Sequence, residues 1–339
     1  MTEGESGLLS IVIPVFNEQE SIAELHRRLT EVLKPGMLYE LVFVNDGSRD
    51  DSLRILEILR RDDPHVAIVN LSRNFGKEIA LSAGLDLAKG QAVVVIDADL
   101  QDPPELIPLL ITEWRNGYDV VYARRTERSG ETWLKKSTAH LFYRLLHGVS
   151  YVDVPSDTGD FRLLSRRAVL AIRSIREQHR FMKGLFAWIG FAQKAVDYQR
   201  DQRFAGKTKW NYWKLWNLAL EGITSFTTIP LRVSTYVGLV TALGAFIYGL
   251  FILIRTLLYG NPVAGYPSLL VVVLFLGGTQ LMAIGVIGEY LGRIFNETKQ
   301  RPLYFLDSYQ PAPSVQDMNP ADAEHLAAAS PNSSYTVRS

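Results

Sequence analysis

Asp97-Ala98-Asp99 carries more chemistry than any other stretch of this chain. Residues i and i+2 of a strand point to one face. Two carboxylates placed so repel each other unless a cation sits between them or one takes a proton. Mg²⁺ and Mn²⁺ favour one or two carboxylates plus substrate phosphate oxygens. The triplet therefore suits a metal–diphosphate site better than an all-protein metal cage, and its place after the apolar run Ala92–Ile96 strengthens that reading. No G-x-x-x-x-G-K-[ST] occurs, and no G-x-G-x-x-G follows the first apolar run. A P-loop is thereby excluded, and a dinucleotide oxidoreductase disfavoured.

Three further polar clusters follow apolar runs in the same way. They are Pro14-Val15-Phe16-Asn17-Glu18, Asn45-Asp46-Gly47-Ser48 and Ser72-Arg73-Asn74-Phe75-Gly76-Lys77. Asn, Asp, Gly and Ser also make ordinary turns and helix caps. Repetition at four junctions favours one shared binding rim.

The elements that must position these groups alternate. Leu9–Val15, Leu41–Val44, Val66–Leu71, Ala92–Ile96 and Val120–Tyr122 read as strands, the first as one buried on both faces. Glu18–Leu33, Ser52–Leu59 and Ile79–Ala88 read as helices, and Asp102-Pro103-Pro104 as a helix start. This β–α alternation predicts an α/β fold with a mostly parallel sheet. Ligands on such sheets sit beyond the carboxyl ends of the strands.

The C-terminal part differs. Val233–Leu258 and Ser268–Leu291 are long apolar stretches. As helices they would run about 39 and 36 Å, against a hydrocarbon layer of about 30 Å. Two buried core helices are the alternative, disfavoured because core helices rarely run so long without a polar face. Arg200, Arg203, Lys207, Lys209, Lys214 and Arg232 precede the first stretch, and Arg293, Lys299 and Arg301 follow the second. The connector Tyr259–Pro267 has no Lys or Arg. The positive-inside rule then puts both ends in the cytoplasm. Glu289 and Arg293, spaced i, i+4, can neutralise each other. The pairs Gly288/Gly292 and Ala245/Gly249 would let helices approach closely and suit a homo-oligomer.

Composition closes off other classes. With 339 residues, 36 Lys+Arg and 36 Asp+Glu, the chain has no net charge and no broadly basic surface for nucleic acid. It has no cysteine, which excludes disulfide scaffolds, cysteine-ligated metals and thiol nucleophiles.

The segments IVIPVFNE (11–18), VNDGS (44–48), LSRNFGKE (71–78), DADLQDPPE (97–105), SDTGDFRLL (156–164) and RFAGKTKW (203–210) together resemble glycosyltransferase family 2. Within it they resemble the polyprenyl-phosphate glycosyltransferase branch, which includes dolichol-phosphate mannose synthase and bacterial bactoprenol glucosyltransferases. The two apolar stretches resemble the bacterial glucosyltransferase subgroup. The resemblance implies a Rossmann-like GT-A catalytic domain over residues 1–210, followed by two C-terminal transmembrane helices. It also implies an inverting transferase at the inner membrane that uses a divalent ion, Mg²⁺ or Mn²⁺.

Roles carry over residue by residue. Pro14, Phe16 and Glu18 match the segment around the nucleotide base and ribose, and Asp46 the acid that contacts the nucleoside. Asp97 matches a position near nucleotide and metal, Asp99 the direct metal ligand, and Gln101 a residue that helps hold metal or diphosphate. Arg203, Lys207 and Lys209 match a basic loop over the phosphates, with Lys209 also assigned to the acceptor phosphate. Arg124 resembles the arginine that receives that phosphate, and Lys135 and Lys136 lie where further basic acceptor contacts occur. Both are lysine here, which lacks the bidentate fork. Asp157 matches the catalytic base. It is equally suited to orienting the acceptor or capping a turn, because a phosphate monoester is already anionic at neutral pH.

The expected organisation is the catalytic domain (1–210, with an amphipathic interfacial helix at about 133–149), an interfacial segment (211–232), two spans (233–292) and a mostly disordered cytoplasmic tail (293–339). Trp133, Leu134, Leu141, Phe142, Leu145 and Leu146 have near-helical spacing with interleaved cations, which fits either the headgroup layer or core packing. The expected donor is UDP-glucose, with GDP-mannose or a UDP-aminoarabinose derivative as alternatives, and the acceptor is undecaprenyl phosphate. A processive polysaccharide synthase would carry Q-x-x-R-W, which is absent. A non-enzymatic nucleotide-sensing scaffold would have no need of the Asp97/Asp99 pair.

Overall fold

The computed structural model describes residues 7–33, 37–125, 158–178, 180–198, 229–259 and 265–316. Lys135, Lys136, Asp157, Arg203, Lys207, Lys209 and most of the two interfacial segments lie outside the described residues.

The first half alternates as its apolar runs require. It comprises β1 (Leu9–Val15), α1 (Ile22–Leu33), β2 (Tyr39–Asn45), α2 (Ser52–Asp62), β3 (Val66–Leu71), α3 (Lys77–Leu87), β4 (Ala92–Val95), α4 (Ile107–Arg115) and β5 (Val120–Arg125). Then come β6 (Thr158–Ser165), α5 (Arg166–Ser174), α6 (Met182–Trp188) and β7 (Gln193–Tyr198). The strand order is β7-β5-β6-β4-β1-β2-β3, with a last strand, β8 (Leu306–Gln310), on the β3 edge. Among the described residues, β6 and β8 run antiparallel to their neighbours and the other six strands share one direction. The expectation of a mostly parallel α/β sheet holds.

Both sheet faces are covered. Ile11 and Ile13 of β1 enter one apolar cluster with Leu25, Leu29 and Leu56. Val12 enters the other with Ala80, Leu81 and Leu85 of α3. Helix α3 lies so close to the sheet that a Cβ on Gly84 would fall 2.3 Å from Val12 Cγ1. The parallel strands therefore read as continuous apolar runs, because alternation is lost when both faces are dry.

Two long helices follow, α7 (Ile229–Tyr259) and α8 (Tyr266–Thr298), and they pack against each other. Val233–Phe251 is long and apolar enough to cross a membrane, and none of it is buried. Among the described residues it is the one stretch that meets both conditions. The expected Glu289–Arg293 pair forms at 3.2 Å.

Of the expected mostly disordered tail (293–339), residues 293–316 instead contain regular structure, and residues 317–339 lie outside the described residues. Helix α8 continues to Thr298, and β8 then pairs antiparallel with β3. Asn70 Nδ2 donates to Asp307 at 2.9 Å, and Tyr304 Oη donates to Asp86 at 2.9 Å. Ala312 and Val315 are buried in the α3-side cluster. The segment is polar in composition because β8 lies on a sheet edge, where most of its side chains face water.

Candidate active site

The carboxyl ends of β1 to β4 do form one rim. After β1, Asn17 N donates to Ser48 Oγ at 3.1 Å and Asn17 Oδ1 accepts from Arg49 N at 2.8 Å. The first two junction loops are thereby laced together. Asp46 follows β2, is buried, and accepts backbone N–H groups from Phe75 (2.7 Å) and Gly76 (2.9 Å). Burial pushes its pKa up against those two bonds. Asp46 thus holds the β3–α3 loop in place. Gly47 has φ +64°, and a Cβ there would meet the Arg73 carbonyl carbon at 2.6 Å, so glycine is what lets the two loops touch. Asn17 and Leu100 adopt φ of 55° and 60° without being glycine. Such backbone persists only where its surroundings over-determine it.

The Asp97–Asp99 geometry departs from the strand argument. Strand β4 ends at Val95, so both aspartates sit in the loop beyond it. Alternation along a strand does not set their directions. The cation beside Asp97 belongs to the protein itself: Lys77 Nζ lies 2.7 Å from the Asp97 carboxylate and 2.5 Å from Asp160 Oδ2. Asp99 Oδ1 accepts the Gln101 backbone N–H at 3.3 Å, which makes a turn of the loop. Phe16 is exposed, Pro14, Glu18 and Gln101 are partly buried, and all four lie on this rim. Arg124 is on β5, where its fork meets Asp197 of β7 at 2.7 and 3.0 Å on an exposed face. An arriving phosphate would compete with that carboxylate.

Lys77, Asp160, Glu78 and Arg162 are the residues that motif reasoning left without a role. Asp160 and Arg162 stand at i and i+2 of β6, and both are buried. An acid and a base two apart in an otherwise apolar strand were the signal available in the sequence. Burial pushes Asp160 up, but Lys77 and Lys183 outweigh it and hold the carboxyl well below its ordinary range. Burial would lower Lys77, yet Asp97 and Asp160 keep it firmly protonated. Arg162 stacks 3.9 Å from the Phe186 ring and donates to Gly159 O at 2.9 Å. Burial brings its pKa down to about 10. Tyr198 Oη donates to buried Asp102, which ties β7 to the same loop.

Glu78 supplies a pH test. Burial and the charge of Asp160 raise its pKa from 4.5 to about 7, although Met182 N–H donates to it at 3.0 Å. A carboxyl raised on folding contributes stability that is full below pH 4.5 and lost as pH rises through about 7. Glu78→Gln keeps an acceptor for Met182 and removes the titration. It should stabilise the protein more at pH 8 than at pH 4.5, by up to about 3 kcal/mol. Thermal unfolding of both forms at the two pH values checks this, and an equal shift at both would refute it.

Among the described residues, no three carboxylates or histidines gather as a metal cage. Asp97 and Asp99, both partly exposed in this loop with Gln101 beside them, could hold an ion that completes its shell with substrate oxygens.

The sequence matches known proteins closely. The sequence model of Glycosyl transferase family 2 matches residues 10–173. An uncharacterized glycosyltransferase of Synechocystis is 54% identical over 299 residues, covering 88% of this chain and 94% of that protein. The bactoprenol glucosyl transferase of Shigella phage SfV is 52% identical over 300 residues, covering 88% of this chain and 97% of that protein. Among solved structures, a glucosyl-3-phosphoglycerate synthase from Mycobacterium tuberculosis in complex with Mn²⁺, uridine-diphosphate and phosphoglyceric acid is 21% identical. It superposes with a TM-score of 0.46 over 64% of this chain and 76% of its own.

Proposed function

This chain belongs to glycosyl transferase family 2, and we propose that it moves glucose from UDP-glucose to the phosphate of a polyprenyl phosphate at the inner face of the membrane. The observation that carries the reading is 52% identity to a bactoprenol glucosyl transferase across 97% of that protein. The rim adds physical support, because its four junctions bring acidic groups to one sheet edge, where α/β folds take their ligands.

The acceptor's phosphate oxygen attacks the anomeric carbon. The bond from that carbon to the leaving nucleoside diphosphate breaks, and configuration inverts. The acceptor phosphate has a second pKa near 6 and arrives as an anion. It needs a general base less than an alcohol would. We therefore give Asp157 the task of orienting acceptor or sugar. Pro14, Phe16 and Glu18 would flank the nucleoside, with Asp46 fixing the loop opposite. Arg203 and Lys207 would supply positive charge for the diphosphate. Arg124, Lys135, Lys136 and Lys209 would receive the acceptor phosphate. Asp99, with Asp97 and Gln101 beside it, would hold a Mg²⁺ or Mn²⁺ ion. Bound there, the ion supplies charge for the departing diphosphate. Lys77 helps keep Asp160 ionised and holds the Asp97 and Asp160 carboxylates in place.

Helices α7 and α8 would cross the membrane as a hairpin, with the cation-free connector outside. The acceptor then presents its phosphate without leaving the bilayer.

The test is a panel of UDP-glucose, GDP-mannose and a UDP-aminoarabinose derivative with one polyprenyl phosphate acceptor. Glucose should transfer fastest, with its anomeric configuration inverted. A faster mannose or aminoarabinose donor would replace the sugar assignment. Absence of transfer from every donor would remove the reaction itself.

A further inference from the structure

An open cleft of about 580 Å³ has none of the rim carboxylates in its lining. Arg73 and Phe75 of the β3–α3 loop line it, with Gln178 after α5, Asn296 and Lys299 at the end of α8, and the 301–305 segment leading to β8. Its lining holds three cations, Arg73, Lys299 and Arg301, and no carboxylate. Among the described residues, none of the three is ion-paired. Arg73 instead donates to Asn74 O at 3.0 Å and lies 4.0 Å over the Phe75 ring, and Lys299 Nζ sits 3.9 Å over the Phe295 ring. Aromatic faces hold these charges in place without neutralising them. Three like charges converging on an open cleft repel until an anion enters.

The anion's chemistry follows from donors and surroundings. Two guanidinium forks match phosphate oxygens, and an ammonium adds a point charge. Phe305 in the cleft lining and Phe295 under Lys299 are exposed apolar groups. Such a mixture of cations and bare aromatic rings fits a membrane surface better than free solution. Lys299 stands six residues beyond Arg293, about 9 Å along the helix axis. That is within a lysine side chain's reach of the headgroup layer if α8 leaves the bilayer near the Glu289–Arg293 pair. Cations just inside the end of a spanning helix attract anionic lipids. Arg73 and Phe75 come from the β3–α3 junction of the rim, while the rim carboxylates Asp46, Asp97 and Asp99 do not line the cleft.

We propose that this cleft binds the phosphate headgroup of an anionic phospholipid through Arg73, Lys299 and Arg301. The inference rests on the membrane reading above. It also bears on the rim, because the loop that carries Arg73 delivers the Phe75 and Gly76 amides to Asp46 and starts the helix that carries Lys77.

The test uses the full chain in neutral detergent, titrated calorimetrically with dihexanoyl phosphatidylglycerol, dihexanoyl phosphatidylcholine and inorganic phosphate. Phosphatidylglycerol should bind saturably and phosphatidylcholine should not. The Arg73→Gln/Arg301→Gln form should bind at least about tenfold more weakly, which is about 1.4 kcal/mol. Lys299→Gln lies on an exposed last helical turn and should weaken binding by itself, so the test survives if the double variant fails to fold. Equal binding of the two lipids, or unchanged binding in the variants, overturns the proposal. Inorganic phosphate binding as tightly as phosphatidylglycerol reassigns the cleft to a free anion. Displacement of phosphatidylglycerol by a short-chain polyprenyl phosphate reassigns it to the acceptor. Retention of the chain in carbonate-washed membranes tests the spanning helices separately, so the two failures are distinguishable.

Discussion

Replacement of Asp99 by alanine should reduce glucosyl transfer by about 100-fold or more while leaving the fold intact. The size follows from losing one preorganised source of transition-state charge stabilisation in a shielded site. The fold should survive because Asp99 is partly exposed in a loop, where its carboxylate accepts the Gln101 amide. Transfer should be measured across a Mn²⁺ and Mg²⁺ titration at saturating UDP-glucose. Asp99→Asn separates charge from turn geometry, since its side chain can still accept from Gln101 N. Both variants should lose metal-dependent turnover. Turnover like that of the unaltered protein in either would remove Asp99 from metal binding.

Lys77→Met should be the most destabilising single change on the rim. Asp160 is 8% exposed and Asp97 25% exposed, and Lys77 is the cation against both. Removing one partner of a buried ion pair leaves an uncompensated charge and costs about 3–5 kcal/mol. Lys77 is itself 42% exposed, so water recovers part of this, and about 2–4 kcal/mol is expected. The sign with pH is definite. Asp160 is held below its ordinary range, so its contribution is present above pH 3.8 and fades as pH falls below that value. The deficit of the Met variant should therefore shrink in acid. Adding Asp160→Asn should restore part of the stability, because the stranded charge goes with it. Denaturant unfolding of the single and double variants measures this. A double variant no more stable than Lys77→Met would mean that the pair is not the source of the loss.

Sequence reasoning located the rim because long apolar runs end there in polar clusters, and both signals are local. The family resemblance then supplied roles for individual residues. The partners of Asp97 were not legible in the same way. Lys77 lies 20 residues from Asp97 and 83 from Asp160, and only the parallel crossover through α3 brings them together. The strand-face argument for Asp97 and Asp99 failed because β4 ends at Val95, before either aspartate, and alternation does not extend into the loop. Strands β6 and β7 were missed because their apolar residues are interrupted by Asp160 and Arg162 in one and by Lys194 and Asp197 in the other. In β7 this breaks the alternation, while in β6 Asp160 and Arg162 alternate with Phe161 and Leu163 over only four residues, a short signal beside the long apolar runs. Strand β8 was missed for a related reason: an edge strand with mostly wet side chains has the composition of a loop.

The return of the chain from α8 to β3 has a practical consequence for protein engineering. The two long helices are an excursion between segments of one sheet, with β7 before them and β8 after. A stop codon ahead of α7 would therefore discard a strand and two buried side chains along with the hydrophobic hairpin. A detergent-free version should instead splice a hydrophilic linker across residues 229–298 and preserve 302–316, so that the sheet closes with its own border in place.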